Sequence, residues 1–158
     1  MSLTRFKAAQ DSPTHGFATA LAELAAGRKQ SHWIWYVFPQ LSGLGWSSSA
    51  QRYAIQDWDE ACAYLRDPLL RSRLLDITDV VARQLDQNVP LTELMGGQTD
   101  ALKLVSSLTL FETVARKFAH NEPSLQPFIA ACGRVLAHAG RQGFPRCAFT
   151  LRQIGGTA

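Results

Sequence analysis

The chain lacks the features that mark membrane, disulfide-rich and metal-scaffolded proteins. Its longest apolar run, from Trp33 to Pro39, is far shorter than the roughly 20 residues that a membrane-spanning helix needs. No apolar stretch of the signal-peptide type follows Met1. The three cysteines are far apart, and no C-x-x-C or H-x-x-x-H pair accompanies them, which argues against disulfides and a zinc site. We therefore expect a cytoplasmic protein without membrane association, cofactor or metal.

Acidic residues are absent after Glu122, whereas four arginines follow it: Arg134, Arg141, Arg146 and Arg152. The formal net charge of the chain is +3 at pH 7. This basic C-terminal third is compatible with a nucleic-acid or protein partner. The alternative is that the arginines are solvated on helix surfaces. Because they are spread out and no alternation of aromatic and basic residues accompanies them, we expect nucleic-acid binding to be weak at most.

The composition and its periodicity predict an all-α protein. Hydrophobic residues make up 46% of the chain and charged residues 18%, a balance typical of a folded globule. We predict one compact helical domain over residues 1–158, with about seven or eight helices around a central long helix at about residues 100–118. The predicted helices cover residues 4–10, 14–26, 48–55, 58–66, 68–85, 100–118, 124–139 and 147–154, with one or two further turns after Pro90.

The segment from Ile34 to Phe38 does not follow this helical pattern. It is β-branched and aromatic, so its intrinsic propensity favours a strand. No other segment offers it a convincing partner strand, and a lone strand would leave its backbone groups unpaired. We therefore predict a buried helical or extended segment.

The same region carries the first candidate site. Four aromatic rings fall within six residues, between His32 and Gln40, and two glycines follow at Gly43 and Gly45. Buried Trp and Tyr side chains need partners for their polar hydrogens, and glycine allows close approach of a ligand. A ligand pocket is one interpretation, and a core segment followed by a glycine turn is the other.

The second candidate site lies on the long helix. At 100° per residue, Asp100, Lys103 and Ser107 share one stripe with Phe111 and Val114. A lysine on a central helix is costly to bury unless its ammonium group meets a carboxylate, carbonyls or a ligand anion. Lys103 is therefore either a ligand contact or a side chain that reaches the surface.

The chain contains a series of short motifs in a fixed order. They are His32-Trp33-x-Trp35-x-x-Phe38-Pro39-Gln40, Gly43-Leu44-Gly45, Tyr53-Ala54-Ile55, Glu60-Ala61-x-x-Tyr64-Leu65, Arg73-Leu74 and Asp100-x-x-Lys103-Leu104-x-Ser106-Ser107-x-Thr109-Leu110-Phe111. The series resembles a bacterial and fungal family of uncharacterised proteins, some of them labelled calpastatin-like. This resemblance implies an all-helical single domain and no established activity. The calpastatin label does not fit, because calpain inhibitors resemble disordered, charged chains.

A shorter resemblance concerns Lys117-Phe118-x-x-Asn121 and Leu125. These residues are similar to a segment of a bacterial N-glycosidase family that acts on ADP-ribose-linked or riboflavin-pathway substrates. The resemblance implies an N-glycosidase-like enzyme acting on ADP-ribose-type substrates as an alternative function.

The leading hypothesis is a helical domain whose polar and aromatic pocket binds a small anionic or nucleotide-like ligand. No catalytic triad or carboxylate pair is visible from spacing, so catalysis stays open. If a proton is transferred, His32 is the candidate, because its ordinary pKa lies nearest neutrality. The residues predicted to line or support the pocket are His32, Trp33, Trp35, Gln40, Tyr53, Lys103 and Ser107.

Overall fold

The structure, a computed structural model, describes residues 2–155, and this part of the chain contains ten α-helices. They are α1 (Thr4–Gln10), α2 (Phe17–Ala25), α3 (Ile34–Val37), α4 (Ser48–Arg52), α5 (Trp58–Arg66), α6 (Pro68–Asp86), α7 (Leu91–Leu94), α8 (Gln98–Phe118), α9 (Gln126–Arg141) and α10 (Ala148–Ile154). The only β-type pairing in the described residues is a single parallel bridge between Leu41 and Ile55. The predicted all-α fold is confirmed. The helix count exceeds seven or eight because two segments of four residues, α3 and α7, also form helices.

Helix α8 is the central element, as predicted. Every residue from Leu104 to Glu112 is buried, and the helix packs against α5, α7, α9 and α10. Such burial at every angle follows from the apolar residues on all faces of this segment. One hydrophobic core therefore surrounds α8 and extends from Phe6 in α1 to Ile154 in α10.

Two aspartates begin α5 and α6. The Asp57 carboxylate accepts from the Glu60 backbone N–H at 2.9 Å, and the Asp67 carboxylate accepts from those of Leu69 and Leu70. Such caps satisfy N–H groups that have no partner within a helix. The Glu60 side chain returns to the Gln56 N–H, one residue before the cap that a capping box would use.

Several predicted helix boundaries need correction, and α2 begins at Phe17 instead of residue 14. Helix α4 ends at Arg52, because the Ile55 backbone bonds to the neighbouring loop instead. Helix α8 begins at Gln98, two residues before the predicted start. Gly140 lies inside α9, and the chain turns only at Gly143, whose φ of +92° favours glycine.

The aromatic segment forms the one-turn helix α3, so its strand propensity is overridden. Ile34 and Val37 are buried within this turn, and Trp33 and Phe38 are buried on either side of it. A helical turn satisfies backbone groups locally where no partner strand is present. No helix in the described part of the chain is long and apolar enough to cross a membrane.

Candidate functional site

A pocket of about 400 Å³ lies beside the loop that follows α3. Its lining includes three aromatic side chains and three glutamines: Trp35, Trp46, Tyr53, Gln40, Gln51 and Gln56. Among the described residues that line it, no side chain carries a formal charge. Its volume and its mixture of aromatic and amide groups are typical of small-molecule sites.

Backbone hydrogen bonds join two walls of the pocket. The Ile55 N–H donates to the Gln40 carbonyl, and the Ser42 N–H donates to the Ile55 carbonyl, both at 2.8 Å. The chain then turns at Gly43, whose φ is +103° and where a Cβ atom would lie 2.9 Å from the Phe149 ring. Helix α10 therefore supports this loop from behind, and only glycine fits at the turn.

Arg5 anchors the segment that contains Tyr53. Its guanidinium donates to the backbone carbonyls of Arg52 at 2.8 Å and Ala54 at 2.9 Å. It also binds the buried Glu60 carboxylate through two nitrogens, at 2.7 and 3.1 Å. A guanidinium that binds a carboxylate through two nitrogens is held in one orientation. Arg5 of α1 and Glu60 of α5 therefore position this wall of the pocket together.

Two glutamines of the pocket are fixed by hydrogen bonds, whereas three other polar groups of its lining residues have no partner within the described residues. The Gln51 amide donates to the Trp46 carbonyl at 2.9 Å, and the Gln56 amide donates to the Ala54 carbonyl at 3.2 Å. The Gln40 carboxamide and the Tyr53 hydroxyl make no hydrogen bond within the described residues. The Trp35 indole N–H is buried and also has no partner there. The Gln40 and Tyr53 side chains are half-buried, so their polar groups are available to a ligand or to water. The Trp35 N–H is enclosed and stays an unsatisfied buried donor, which is uncommon in folded proteins.

Two cations lie against the aromatic walls. The Lys103 ammonium is 5.2 Å from the centre of the Trp35 ring, and the Arg52 guanidinium is 5.6 Å from the centre of the Tyr53 ring. Both distances fall within the range of cation–π attraction. The uncharged pocket is therefore bordered by positive charge.

Asp100 is shared by two lysines. Its carboxylate lies 2.8 Å from the Lys29 ammonium and 3.8 Å from the Lys103 ammonium. The Lys29 side chain is only 5% exposed, whereas that of Lys103 is 24% exposed. Lys29 is therefore the main partner of Asp100, and the three residues carry one net positive charge.

Glu23 fixes the chain that enters α3. It accepts hydrogen bonds from the Trp33 indole, the Ser31 hydroxyl and the backbone N–H groups of Gln30 and Ser31. Burial alone would raise the pKa of Glu23. The four hydrogen bonds together outweigh burial and lower the pKa from 4.5 to about 2. Hydrogen bonds to a carboxylate favour its charged form. Trp33 is thus held in the core, with the Lys29 ammonium 4.8 Å from its ring centre.

The predicted site residues fall into three groups. Trp35, Gln40 and Tyr53 line the same pocket, and Lys103 lies against the Trp35 ring. Trp33 is buried beside Glu23, and Ser107 is buried within α8 with its hydroxyl unpaired in the described structure. His32 is exposed and does not line the pocket.

Several residues that shape the site were not predicted from the sequence: Arg5, Lys29, Trp46, Gln51 and Gln56. Gly43 and Gly45, just before Trp46, could have indicated this residue. Glycines so close together are typical of a turn, and the side chain that follows a turn can contact a ligand. Arg5 and Lys29 act through partners far away in the sequence, and no local spacing indicates such pairs.

Two arginines of the basic C-terminal third are paired with acidic residues. Arg146 binds the buried Glu112 carboxylate, at 3.0 Å through its Nε atom, and Arg134 binds Asp86. Their charge is therefore partly neutralised within the fold. No group of three or more His, Cys, Asp or Glu side chains in the described residues is arranged to hold a metal ion.

Comparisons with known proteins agree with the fold but name no activity. Residues 1–134 match the family described as "Protein of unknown function (DUF1810)". The chain is also similar to the crystal structure of the conserved hypothetical protein Rv1873 from Mycobacterium tuberculosis. The two chains are 37% identical with a TM-score of 0.77, over 95% of this chain and 94% of that one. No curated protein matches the chain. The chain belongs to the DUF1810 family of proteins of unknown function.

Proposed function

We propose that this protein binds a small nucleotide-like ligand in the pocket between Trp35, Trp46 and Tyr53. The observation that carries the proposal is that three aromatic side chains, the Gln40 carboxamide and the Tyr53 hydroxyl line one uncharged pocket. A planar heteroaromatic ring fits such walls, because aromatic faces stack on rings and the polar groups orient them.

The anionic part of the ligand would lie towards Lys103. Asp100 already has Lys29 as its closer partner, so the Lys103 charge is incompletely balanced. A phosphate near this ammonium would gain a charge-assisted contact without displacing the Lys29–Asp100 pair. Arg52, against the Tyr53 ring, adds to the positive potential at the border of the pocket.

The pocket supports binding better than catalysis. Among the described residues that line it there is no carboxylate, imidazole or thiol to act as an acid, base or nucleophile. His32, the candidate for proton transfer, is exposed outside the lining. The proposal is therefore a binding protein, and catalysis is not part of it.

Thermal shift with a small library tests the proposal. Nucleotides, nicotinamide derivatives and phosphorylated metabolites are each added to the protein, because a ligand that binds only the folded state raises its melting temperature. We expect a phosphorylated nucleotide to raise it more than the matching nucleoside, and Lys103→Met to remove that difference. If no library member shifts the melting temperature, the binding function is rejected; if the difference persists in Lys103→Met, the placement of the anion is rejected.

The other candidate functions have less support. The arginines of an interaction module include Arg134 and Arg146, which are paired within the fold. In the segment similar to an N-glycosidase, Phe118 lies under the Arg66 guanidinium at 4.7 Å and borders a different groove. Neither observation supplies a ligand contact.

A further inference from the structure

The Gln40 side chain is the one glutamine of the pocket without a hydrogen bond in the described residues. Gln51 and Gln56 each use their amide nitrogen to fix a backbone carbonyl of the pocket wall. Gln40 is fixed through its backbone instead, since its carbonyl accepts from the Ile55 N–H at 2.8 Å. Its carboxamide is therefore held at the pocket by the main chain and keeps both its donor and its acceptor for a ligand.

A free carboxamide beside aromatic walls distinguishes between nucleobases. It offers one donor and one acceptor side by side, and adenine matches this pair with its N7 acceptor and its N6 amino donor. Guanine presents two acceptors, N7 and O6, at the same edge, so only one of its groups can bond well to the carboxamide. The stacking walls themselves do not discriminate, because every base has a π-face.

We infer that the ring taken by this pocket is adenine, with Gln40 bonding to its N6 and N7 edge while Trp35 and Tyr53 form the stacking walls. This inference rests on the proposed binding function and names its ligand class, a small adenine nucleotide. Gln40 is the specificity-determining residue, and Lys103 contributes only to binding of the phosphate. The Tyr53 hydroxyl is the remaining donor for the sugar.

Isothermal titration with matched nucleotides tests the inference on the whole protein. The probes are adenosine monophosphate, inosine monophosphate, which carries an oxygen in place of the N6 amino group, and 7-deazaadenosine monophosphate, which lacks the N7 acceptor. We expect each analogue to bind about tenfold more weakly than adenosine monophosphate, since each removes half of a bidentate contact. Guanosine monophosphate should show a similar loss.

Gln40→Leu is the decisive variant. It removes the carboxamide but leaves the backbone bond to Ile55, and thermal unfolding checks that it remains folded. We expect it to bind adenosine monophosphate about tenfold more weakly and to lose its discrimination against both analogues. Gln126→Leu, at an exposed position at the start of α9, is the control and should retain the parental preferences.

The ways in which the inference can fail are separable. If all four nucleotides bind to the parent with equal affinity, or if guanosine monophosphate binds best, adenine selectivity is overturned while the binding function stands. Adenine selectivity through Gln40 is likewise overturned if Gln40→Leu keeps the full preference for adenine. If none of these nucleotides binds but another library member raises the melting temperature, only the adenine inference fails; if no library member does so either, the proposed function fails with it.

Discussion

Arg5 Nη2 lies 2.7 Å from Glu60 Oε1, and the same guanidinium donates to the Ala54 carbonyl in the wall of the pocket. The Glu60 side chain is only 3% exposed, and Arg5 is the cation that pairs with it. A pair between α1 and α5 thus contributes to both the stability of the fold and the shape of the site.

Removal of one partner should affect both properties. We expect Arg5→Met to lower the free energy of unfolding by about 3 kcal/mol, because it leaves a buried carboxylate without its cation. It should also weaken ligand binding, because the segment around Tyr53 loses its anchor. Urea unfolding and calorimetric titration measure the two effects. Arg83→Met, which breaks an exposed pair with Asp79, is the control and should cost less than about 1 kcal/mol; equal losses in the two variants would contradict the buried role of Arg5.

Hydrophobic periodicity was sufficient to predict most of the fold. The bounds of α1 and α5 were predicted to the residue, and the central helix was identified from its apolar residues on every face. Boundaries failed where a long-range backbone contact decides them: α4 ends early because Ile55 bonds to Gln40 and Ser42. Strand propensity did not predict the conformation of α3. This segment is buried and has no partner strand, so a helical turn is the conformation that satisfies its backbone groups.

The candidate site was predicted only in part. Aromatic density indicated Trp35, and the motif residues Gln40 and Tyr53 join it in one pocket. The sequence placed Asp100 on one helix stripe with Lys103, but its closer partner is Lys29, which lies far away in the sequence. Such tertiary pairs leave no periodic signal in a single sequence.

The two lysines that share Asp100 should respond differently to substitution. We expect Lys29→Met to cost about 3 kcal/mol, because its buried ammonium is the main partner of the carboxylate. Lys103→Met should cost less than about 1 kcal/mol, because its contact is longer and more exposed. The same Lys103 variant should lose phosphate-dependent affinity. Parallel urea titrations compare the pair, and a Lys103→Met protein as unstable as Lys29→Met would show that Lys103 is a structural residue.

Trp46 offers a test of the pocket that leaves the core intact. Its side chain is 88% exposed, so we expect Trp46→Ala to change stability by less than about 0.5 kcal/mol. It should nevertheless weaken ligand binding, because one aromatic wall is lost. Trp33→Ala is the contrasting variant: this ring is fully buried, and its loss should cost about 3–5 kcal/mol. If Trp46→Ala binds the ligand with unchanged affinity, Trp46 is not part of the site.

Glu23 links stability to acidic pH. Its pKa is about 2 in the folded protein against an ordinary 4.5, so the folded state holds this proton less tightly than the unfolded state does. Its stabilisation is therefore present above pH 4.5 and is lost as the pH falls from 4.5 towards 2. We expect Glu23→Gln to be less stable than the parent at pH 7, by about 1–3 kcal/mol. This difference in the free energy of unfolding should narrow as the pH falls from 4.5 towards 2. Denaturant unfolding at several pH values measures the gap.

The control for Glu23 is Glu93→Gln. The Glu93 side chain is exposed and makes no hydrogen bond within the described residues. This variant should match the parent at each pH tested. A gap between Glu23→Gln and the parent that stays constant from pH 7 to pH 3 would contradict the assigned role of the Glu23 carboxylate.

Gly43 provides the sharpest test of the link between α10 and the pocket. Gly43→Ala places a Cβ atom 2.9 Å from the Phe149 ring at a φ of +103°, so both strain and a clash oppose it. Gly27→Ala is the matched control, because its φ is +93° but nothing lies within 4 Å of the added Cβ. Strain alone should cost each variant about 1–2 kcal/mol. We expect Gly43→Ala to lose more than this and to bind ligand more weakly, with Phe149→Leu partly restoring its binding. Equal stability of the two variants, with unchanged affinity in Gly43→Ala, would show that α10 does not support the pocket wall.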